Sequence, residues 1–228
     1  MPHHAFITVA IDGGAAVGKS TTATALAERF GWMHVNTGLH YRLLAHECLA
    51  HGISPVEDGA LANFLKEVSL KTALVGPSVK TYAGENPLPE EALRTQAINQ
   101  HVSQYAALPS VRQKLLAYER GLVGFAQKNG FKGLVMEGRD IGSVVLPDAD
   151  FCFFLTADLR ARALRRSSES DQQDDIAVRD QTDTTRSIAP LVCSERALVV
   201  DTTHMTLPEV VGFLADKILA QAPRSLDS

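Results

Sequence analysis

The strand, loop and helix at the amino terminus constrain this chain more than any other stretch. From Phe6 to Ile11 the residues are apolar and largely β-branched, the pattern of a buried strand. After Asp12 come Gly13, Gly14, Ala15, Ala16, Val17, Gly18, Lys19, Ser20 and Thr21. A helical repeat of apolar residues then begins at once, with Ala23, Leu26, Ala27 and Phe30. The spacing G-x-x-x-x-G-K-S in that setting is the phosphate-cradling loop. Small residues let successive N–H groups close around phosphate oxygens, and the helix adds the positive end of its dipole. Lys19 is placed to reach β- and γ-phosphates, and the Ser20 hydroxyl suits Mg²⁺. Gly13–Thr21 is the expected seat of a nucleoside triphosphate.

A chain of 228 residues fits one α/β domain with room for a small insertion. With 45% hydrophobic and 21% charged residues it has the composition of an ordinary globular protein. The formal charge of -4 argues against a general nucleic-acid binder, which would be basic, yet leaves room for a local arginine pocket. Cys48, Cys152 and Cys193 are too few and too scattered for a disulfide framework or a zinc site. No basic-then-apolar leader opens the chain, and no apolar run approaches spanning length. The expectation is a reduced, cytoplasmic monomer without nucleic-acid or membrane partners.

Strands alternate with helices through most of the chain. His34–Asn36 reads as a second strand, followed by a helix carrying Tyr41, Leu44, Ala45, Cys48 and Leu49 at helical spacing. Ser54-Pro55-Val56-Glu57 resembles a capping box that opens a helix burying Leu61, Phe64, Leu65 and Val68. Ser69–Val75 and Val79–Tyr82 are expected to pair across Gly76-Pro77 as a small inserted lobe, about residues 69–94. Val111, Leu115, Tyr118, Leu122 and Phe125 mark a long helix. Leu134–Met136, Phe151–Leu155 and Ala197–Val200 are further strands, and Thr206–Glu209 caps a last helix. Residues 158–183 are strongly polar and are expected to be exposed and mobile. The alternation predicts a three-layer α/β/α fold on a parallel sheet, with ligands at the carboxyl ends of its strands. The loop, Asn36–Gly38 and Glu137–Asp140 all fall there.

Arginines stand out as candidates for a second phosphate, because the guanidinium fork donates two parallel hydrogen bonds and keeps its charge. Arg42 follows the second strand and Arg139 follows a central one. Arg179, Asp183 and Arg186 are spaced to share one helix face. Read from the residues alone, that row is as well explained by solvated ion pairs, and Arg139-Asp140 by a turn.

The chain resembles the bacterial cytidylate kinases, within the nucleoside monophosphate kinases, over nearly its whole length. IDGGAAVGKST, NTGLHYR (Asn36–Arg42) and LRTQAINQHVSQYAALPSVR (Leu93–Arg112) carry the resemblance. So do MEGRDIGSVVLPDADFCFFLTA (Met136–Ala157), RDQTDTTRSIAPL (Arg179–Leu191) and ALVVDTTHMTLPEV (Ala197–Val210). It implies one P-loop kinase domain over residues 1–228, an acceptor region at 38–112, a lid at about 160–186, and ATP-dependent phosphorylation of CMP and dCMP with Mg²⁺. By position, Arg42, Arg139 and Arg186 match the arginines that hold the acceptor phosphate. Ser103, Arg112 and Asp140 match the groups that read cytosine, and Arg179 and Asp183 match ribose contacts. Lys19, Arg139 and Arg186 would then serve the transfer itself.

The departures are local. Thr37 stands in for an aspartate or serine contact near Asn36, and Leu39-His40 replaces a small-plus-apolar pair. The segment Arg166–Arg179 is short for a lid. Arginines between Arg179 and Arg186 are replaced by Gln181, Thr182, Thr184 and Thr185, for which Arg162, Arg165 and Arg166 would compensate at the donor phosphates. Rival readings are a kinase for UMP or shikimate and a kinase-like binding protein with reduced turnover. A GTP switch would need an N/T-K-x-D segment, which the sequence lacks.

Overall fold

The computed structural model describes residues 6–85, 87–169, 184 and 191–221, with backbone alone at 166–169. Its centre is β1 (Ile7–Gly13), flanked by β5 (Gly133–Glu137) and β6 (Phe151–Thr156), both parallel to it. Beyond β5 lies β2 (Met33–Asn36), and beyond β6 lies β7 (Leu198–Asp201), again parallel. A hairpin of β3 (Lys71–Val75) and β4 (Ser78–Tyr82) completes the sheet, giving the order β3-β4-β2-β5-β1-β6-β7. The hairpin is antiparallel within itself and turns at Gly76-Pro77, as expected. It also joins the main sheet through His34 opposite Ser78, so the segment read as an inserted lobe lengthens the sheet's edge.

Alternation along β1 sends its side chains to opposite layers. Val9 and Ile11 pack with Leu26 of α1 (Lys19–Phe30) and with Leu214 and Ile218 of α7 (Leu207–Gln221). Ala10 faces the other layer, with Met33, Met136 and Leu122 of α5 (Pro109–Lys128). A third apolar cluster lies outside the sheet. It joins α2 (Thr37–Ala50), α3 (Gly59–Glu67), α4 (Gln96–Ala106) and α5 through Leu44, Leu61, Ile98, Tyr105 and Leu115. That cluster sets the outer wall of the site. Among the described residues no helix is long and apolar enough to cross a membrane.

One predicted cap is corrected. Ser54–Glu57 does not open α3. Asp58 does, accepting from the Leu61 N–H at 2.9 Å. Glu57 turns away and accepts from the Ser110 N–H at 2.8 Å, in the first turn of α5. The helix itself stands where expected, with Leu61 and Leu65 buried. At α7 the Glu209 side-chain half of the predicted box is present: Thr206 donates its N–H and hydroxyl to Glu209 Oε2 at 2.7 and 2.8 Å. Helix α4 was not anticipated. Thr95 caps it, accepting from the Ile98 N–H at 3.5 Å.

Candidate active site

The loop between β1 and α1 is held curled by its backbone. Gly13 has φ 147 and Gly18 has φ 92, angles that L side chains rarely adopt. A Cβ at Gly13 would also run into the Leu155 carbonyl oxygen on β6. Ala16 is, among the described residues, the one non-glycine with positive φ, at 57, a strain of about 1–3 kcal/mol that a packed surround must sustain. Val17 supplies part of that surround. Its side chain is buried, and its carbonyl accepts from the Thr202 hydroxyl at 3.1 Å and from Arg165 at 3.3 Å. Gly18 caps α1 without a side chain, so the first-turn N–H groups are presented to the cavity. Lys19 Nζ reaches back to the Gly14 carbonyl at 2.6 Å, over the loop it is meant to serve. Thr21 donates its hydroxyl to the Gly18 carbonyl at 3.0 Å.

Ser20 Oγ donates to Glu137 Oε2 at 2.8 Å and receives Asn36 Nδ2 at 3.4 Å. The other Glu137 oxygen lies 3.2 Å from His34 Nε2. Thr37 donates its hydroxyl to the Glu137 carbonyl at 2.8 Å, fixing the end of β5 against α2. This hydroxyl–carboxylate pair beside the phosphate loop is an oxygen donor set suited to a hard cation. The residues present therefore fit Mg²⁺. Among the described residues no three His, Cys, Asp or Glu side chains form a metal cage. The sequence places Glu137 at the ligand end of the sheet without marking a role for it there. Its signal was an acidic residue ending a buried strand, where α/β sheets gather ligands.

The same cavity, of ≈ 500 Å³, continues from the loop to an acceptor wall, within the size range of small-molecule sites. Arg42, buried on α2, donates through Nη1 to the Leu93 carbonyl at 3.0 Å and Asn99 Oδ1 at 2.7 Å. Arg139 donates to the Gly13 carbonyl at 2.5 Å, so an arginine after β5 touches the start of the phosphate loop. Arg112 pairs with Asp140 in a buried bridge and donates to the Ala106 carbonyl at 3.2 Å. Its guanidinium lies 5.5 Å over the Tyr41 ring, a cation–π contact that orients it. Ser103 and Thr37 line the wall as expected. Arg94, Asn99 and Tyr41 line it too and were not predicted. Gly138 is needed where the wall is tightest: a Cβ there would come within 2.6 Å of Ile141 Cδ1 and of Thr37 Oγ1.

Asp12 supports that wall from below. Its carboxylate accepts from the Ile141 and Gly142 N–H groups, both at 2.7 Å, at the start of a π-helical turn (Ile141–Val145). Burial pushes its pKa up to about 6, against the pull of those two bonds; the Asp140 charge adds to the rise and Lys19 opposes it. Asp12 thus ties the end of β1 to the segment carrying Arg139 and Asp140.

Most of the sequence-predicted residues meet at this one cavity. Lys19, Ser20, Thr21, Ala15, Ala16 and Gly18 line its donor end, and Thr37, Arg42, Ser103, Arg112, Arg139 and Asp140 its far end. Gly13, Gly14 and Val17 shape the loop from behind. On α6 (Leu159–Glu169), Arg165 reaches the loop, while Arg162 stands outside the cavity wall. Arg179, Asp183, Arg186 and most of the expected lid lie outside the described residues.

Residues 9–221 match the model of the family described as Cytidylate kinase. Relatives that carry that name include the following three. One from Limosilactobacillus fermentum is 36% identical over 93% of this chain and 95% of its own length. One from Ligilactobacillus salivarius is 38% identical over 90% and 93%. One from Geobacillus sp. is 39% identical, again over 90% and 93%.

Proposed function

The chain belongs to the cytidylate kinase family, and from that premise we propose how its residues divide the work. The reaction is ATP-dependent phosphorylation of CMP. An oxygen of the acceptor phosphate bonds to the γ-phosphorus of ATP as the bond from that phosphorus to its bridging oxygen breaks, and ADP leaves with the electron pair. The acceptor phosphate is already a nucleophilic anion at neutral pH, so the chain need supply no base. Its task is to align two anions and offset their repulsion. The observation that carries the assignment is a single cavity walled by the phosphate loop at one end and by Arg42, Arg139 and the Arg112–Asp140 pair at the other.

Loop amides from Gly14 to Thr21 and the Lys19 ammonium hold the donor phosphates. Ser20, backed by Glu137, would hold Mg²⁺, which supplies charge neutralisation when bound. Arg42 and Arg139 grip the acceptor phosphate, and Arg139 also bonds the loop itself, so a phosphate on it is brought toward the donor. Ser103, Arg112 and Asp140 face the base. An ionised Asp140 accepts from the exocyclic amine of cytosine and repels the carbonyl that uracil carries there. CMP and dCMP are both acceptors in this reading, with Arg179, Asp183 and Arg186 joining from the lid. The test is ADP release over a panel of CMP, dCMP, UMP, AMP and shikimate. Turnover highest with the two cytidylates supports the assignment, and preference for any other acceptor overturns it.

A further inference from the structure

The peptide between Val17 and Gly18 is gripped from outside the phosphate loop. The Val17 carbonyl accepts from the Thr202 hydroxyl at 3.1 Å and from Arg165 Nη1 at 3.3 Å. Neither donor is a neighbour in the chain: Thr202 follows β7, and Arg165 lies on α6. The donors also hold each other. Arg165 Nη1 donates to Thr202 Oγ1 at 3.0 Å, and Nη2 to the Thr202 carbonyl at 2.6 Å. Thr202 is buried, and its N–H donates to the Thr156 carbonyl at the end of β6, at 2.8 Å. Its hydroxyl lies 3.0 Å from that same carbonyl; the oxygen already holds the N–H, which favours donation to Val17. Next in the chain, Thr203 Oγ1 accepts from the Asp158 N–H at 3.0 Å, and Asp158 caps α6 by accepting from the Ala161 N–H at 2.6 Å. The ends of β6 and β7 and the start of α6 thus converge on one carbonyl of the loop.

The direction of that carbonyl fixes a donor. The peptide is trans, so its C=O and N–H point opposite ways. With the Val17 oxygen turned toward Thr202 and Arg165, the Gly18 N–H is turned away from them, toward the cavity that Gly18 lines. Residue 18 does not hold that choice by itself. Rotating the peptide changes ψ of Val17 and φ of Gly18, and glycine accepts either sign of φ. A rotated peptide would aim a carbonyl oxygen at the phosphates in place of a donor. The grip on Val17 also lies beside Ala16, whose positive φ is a strain that the surround must sustain.

We propose that Thr202 and Arg165 are positioning residues for the donor phosphates: by gripping the Val17 carbonyl they keep the Gly18 N–H aimed at the triphosphate. The proposal rests on the reading of Gly13–Thr21 as the ATP site. Arg165, expected from the sequence to serve the donor phosphates directly, acts here through the backbone of the loop. Thr202 carries no such expectation, because its contact with Val17 spans most of the chain. A grip of this kind differs from packing in what it alters. Losing it lowers the fraction of molecules whose Gly18 N–H points correctly, and the apparent ATP affinity falls by that fraction. The acceptor wall is left as it was.

The experiment is calorimetric titration of ATP and, separately, CMP into wild type and variants, at a temperature where each is folded. Thr202→Val keeps the side-chain shape and removes the hydroxyl. It should weaken ATP by about three- to tenfold, the worth of one hydrogen bond, and leave CMP within about twofold. Thr202→Ser, which keeps the donor, should bind ATP within about twofold of wild type. In steady-state kinetics the KM for ATP rises by the same factor in Thr202→Val. Turnover at saturating ATP stays within about twofold, because bound phosphate draws the peptide back. A folded Thr202→Val with unchanged ATP affinity, with equal losses of ATP and CMP, or with turnover lost at unchanged KM overturns the proposal. So does Thr202→Ser as weak as Thr202→Val. Should Thr202→Val fail to fold, Arg165→Lys decides, since it keeps the charge but cannot span Val17 and Thr202 together. Loss of ATP affinity by about threefold or more with CMP retained supports the proposal, and unchanged ATP affinity overturns it. Wild type that binds CMP but not ATP overturns the donor-loop reading and this proposal with it, whereas wild type binding both with an unaffected Thr202→Val overturns this proposal alone.

Discussion

Asp12 offers the sharpest test of the physical account of the site. It is 4% exposed, and its pKa stands at about 6 against 3.8 for an unperturbed aspartate. Desolvation is the larger effect, only partly offset by the two backbone N–H bonds. The sign follows from linkage. Between pH 3.8 and about 6 the folded protein keeps a proton on Asp12 that the unfolded chain has released. Stability from this group is therefore complete below the lower value and is lost as pH rises through the upper one. At about 1.4 kcal/mol per unit of pKa, the loss is about 3 kcal/mol. Asp12→Asn removes the titration while keeping the side-chain volume. The amide must turn its NH₂ toward one backbone N–H, a cost of about 1–3 kcal/mol, but that offset is the same at every pH. Urea unfolding of both proteins at several values from pH 4 to pH 7 gives their difference in stability, in which other titrating groups largely cancel. Wild type should lose about 2.4 kcal/mol of that relative to the variant across this range, the rest having gone below pH 4. A flat difference, or one moving the other way, would mean that Asp12 is not buried as a costly charge.

Three further outcomes are expected. Lys19→Ala should lower turnover by orders of magnitude with the melting temperature little changed; near wild-type turnover at saturating ATP and CMP would remove Lys19 from the transfer. Asp140→Asn should cut the specificity constant for CMP by about ten- to hundredfold and that for UMP less. It should also destabilise the fold by about 3–5 kcal/mol, because Arg112 stays buried without its charge partner, so the CMP-to-UMP ratio is measured where the variant is folded, and an unchanged ratio refutes the base assignment. At the cap of α3, Asp58→Ala should cost about 1 kcal/mol in chemical unfolding, while Ser54→Ala stays within about 0.5 kcal/mol of wild type; equal losses would make Ser54 part of the cap after all.

What could be read in advance was whatever lies contiguous in the chain. The phosphate loop needs only neighbours along the backbone, so Gly13 to Thr21 was legible residue by residue. The strands were legible too, since burial on both faces leaves a plain apolar run, as in Leu134–Met136. Glu137 and Asp12 were not read as working residues because their roles come from neighbours across the sheet. Glu137 meets Ser20 only because β5 packs beside β1, and Asp12 meets Ile141 from more than a hundred residues away. The Ser54–Glu57 pattern misled for a local reason. A better acceptor, Asp58, sits one residue further on, and Glu57 is drawn to a different helix. Helix α4 did carry a signal in Thr95 and the spacing of Ile98, Val102 and Tyr105, diluted by the polar residues between them.

The position of β5 has a consequence for how the molecule is made. β1 and β2 follow each other in the chain, yet they never touch in the sheet, because β5 lies between them. A growing chain that has released the phosphate loop still lacks the strand against which the loop's hydroxyl and its arginine partner are set. At about 5–20 residues per second of synthesis, the loop waits on the order of ten seconds for Gly133–Glu137 to emerge. Until then β1 and β2 present unpaired edges to each other across an empty slot, the kind of edge that invites wrong pairing. Parallel pairing over so long a loop is also slow to nucleate. Nucleotide binding is thus a property the nascent chain acquires late, after the strand that fills the slot has joined β1 to β2 and β6 and β7 have followed it onto the far edge of β1.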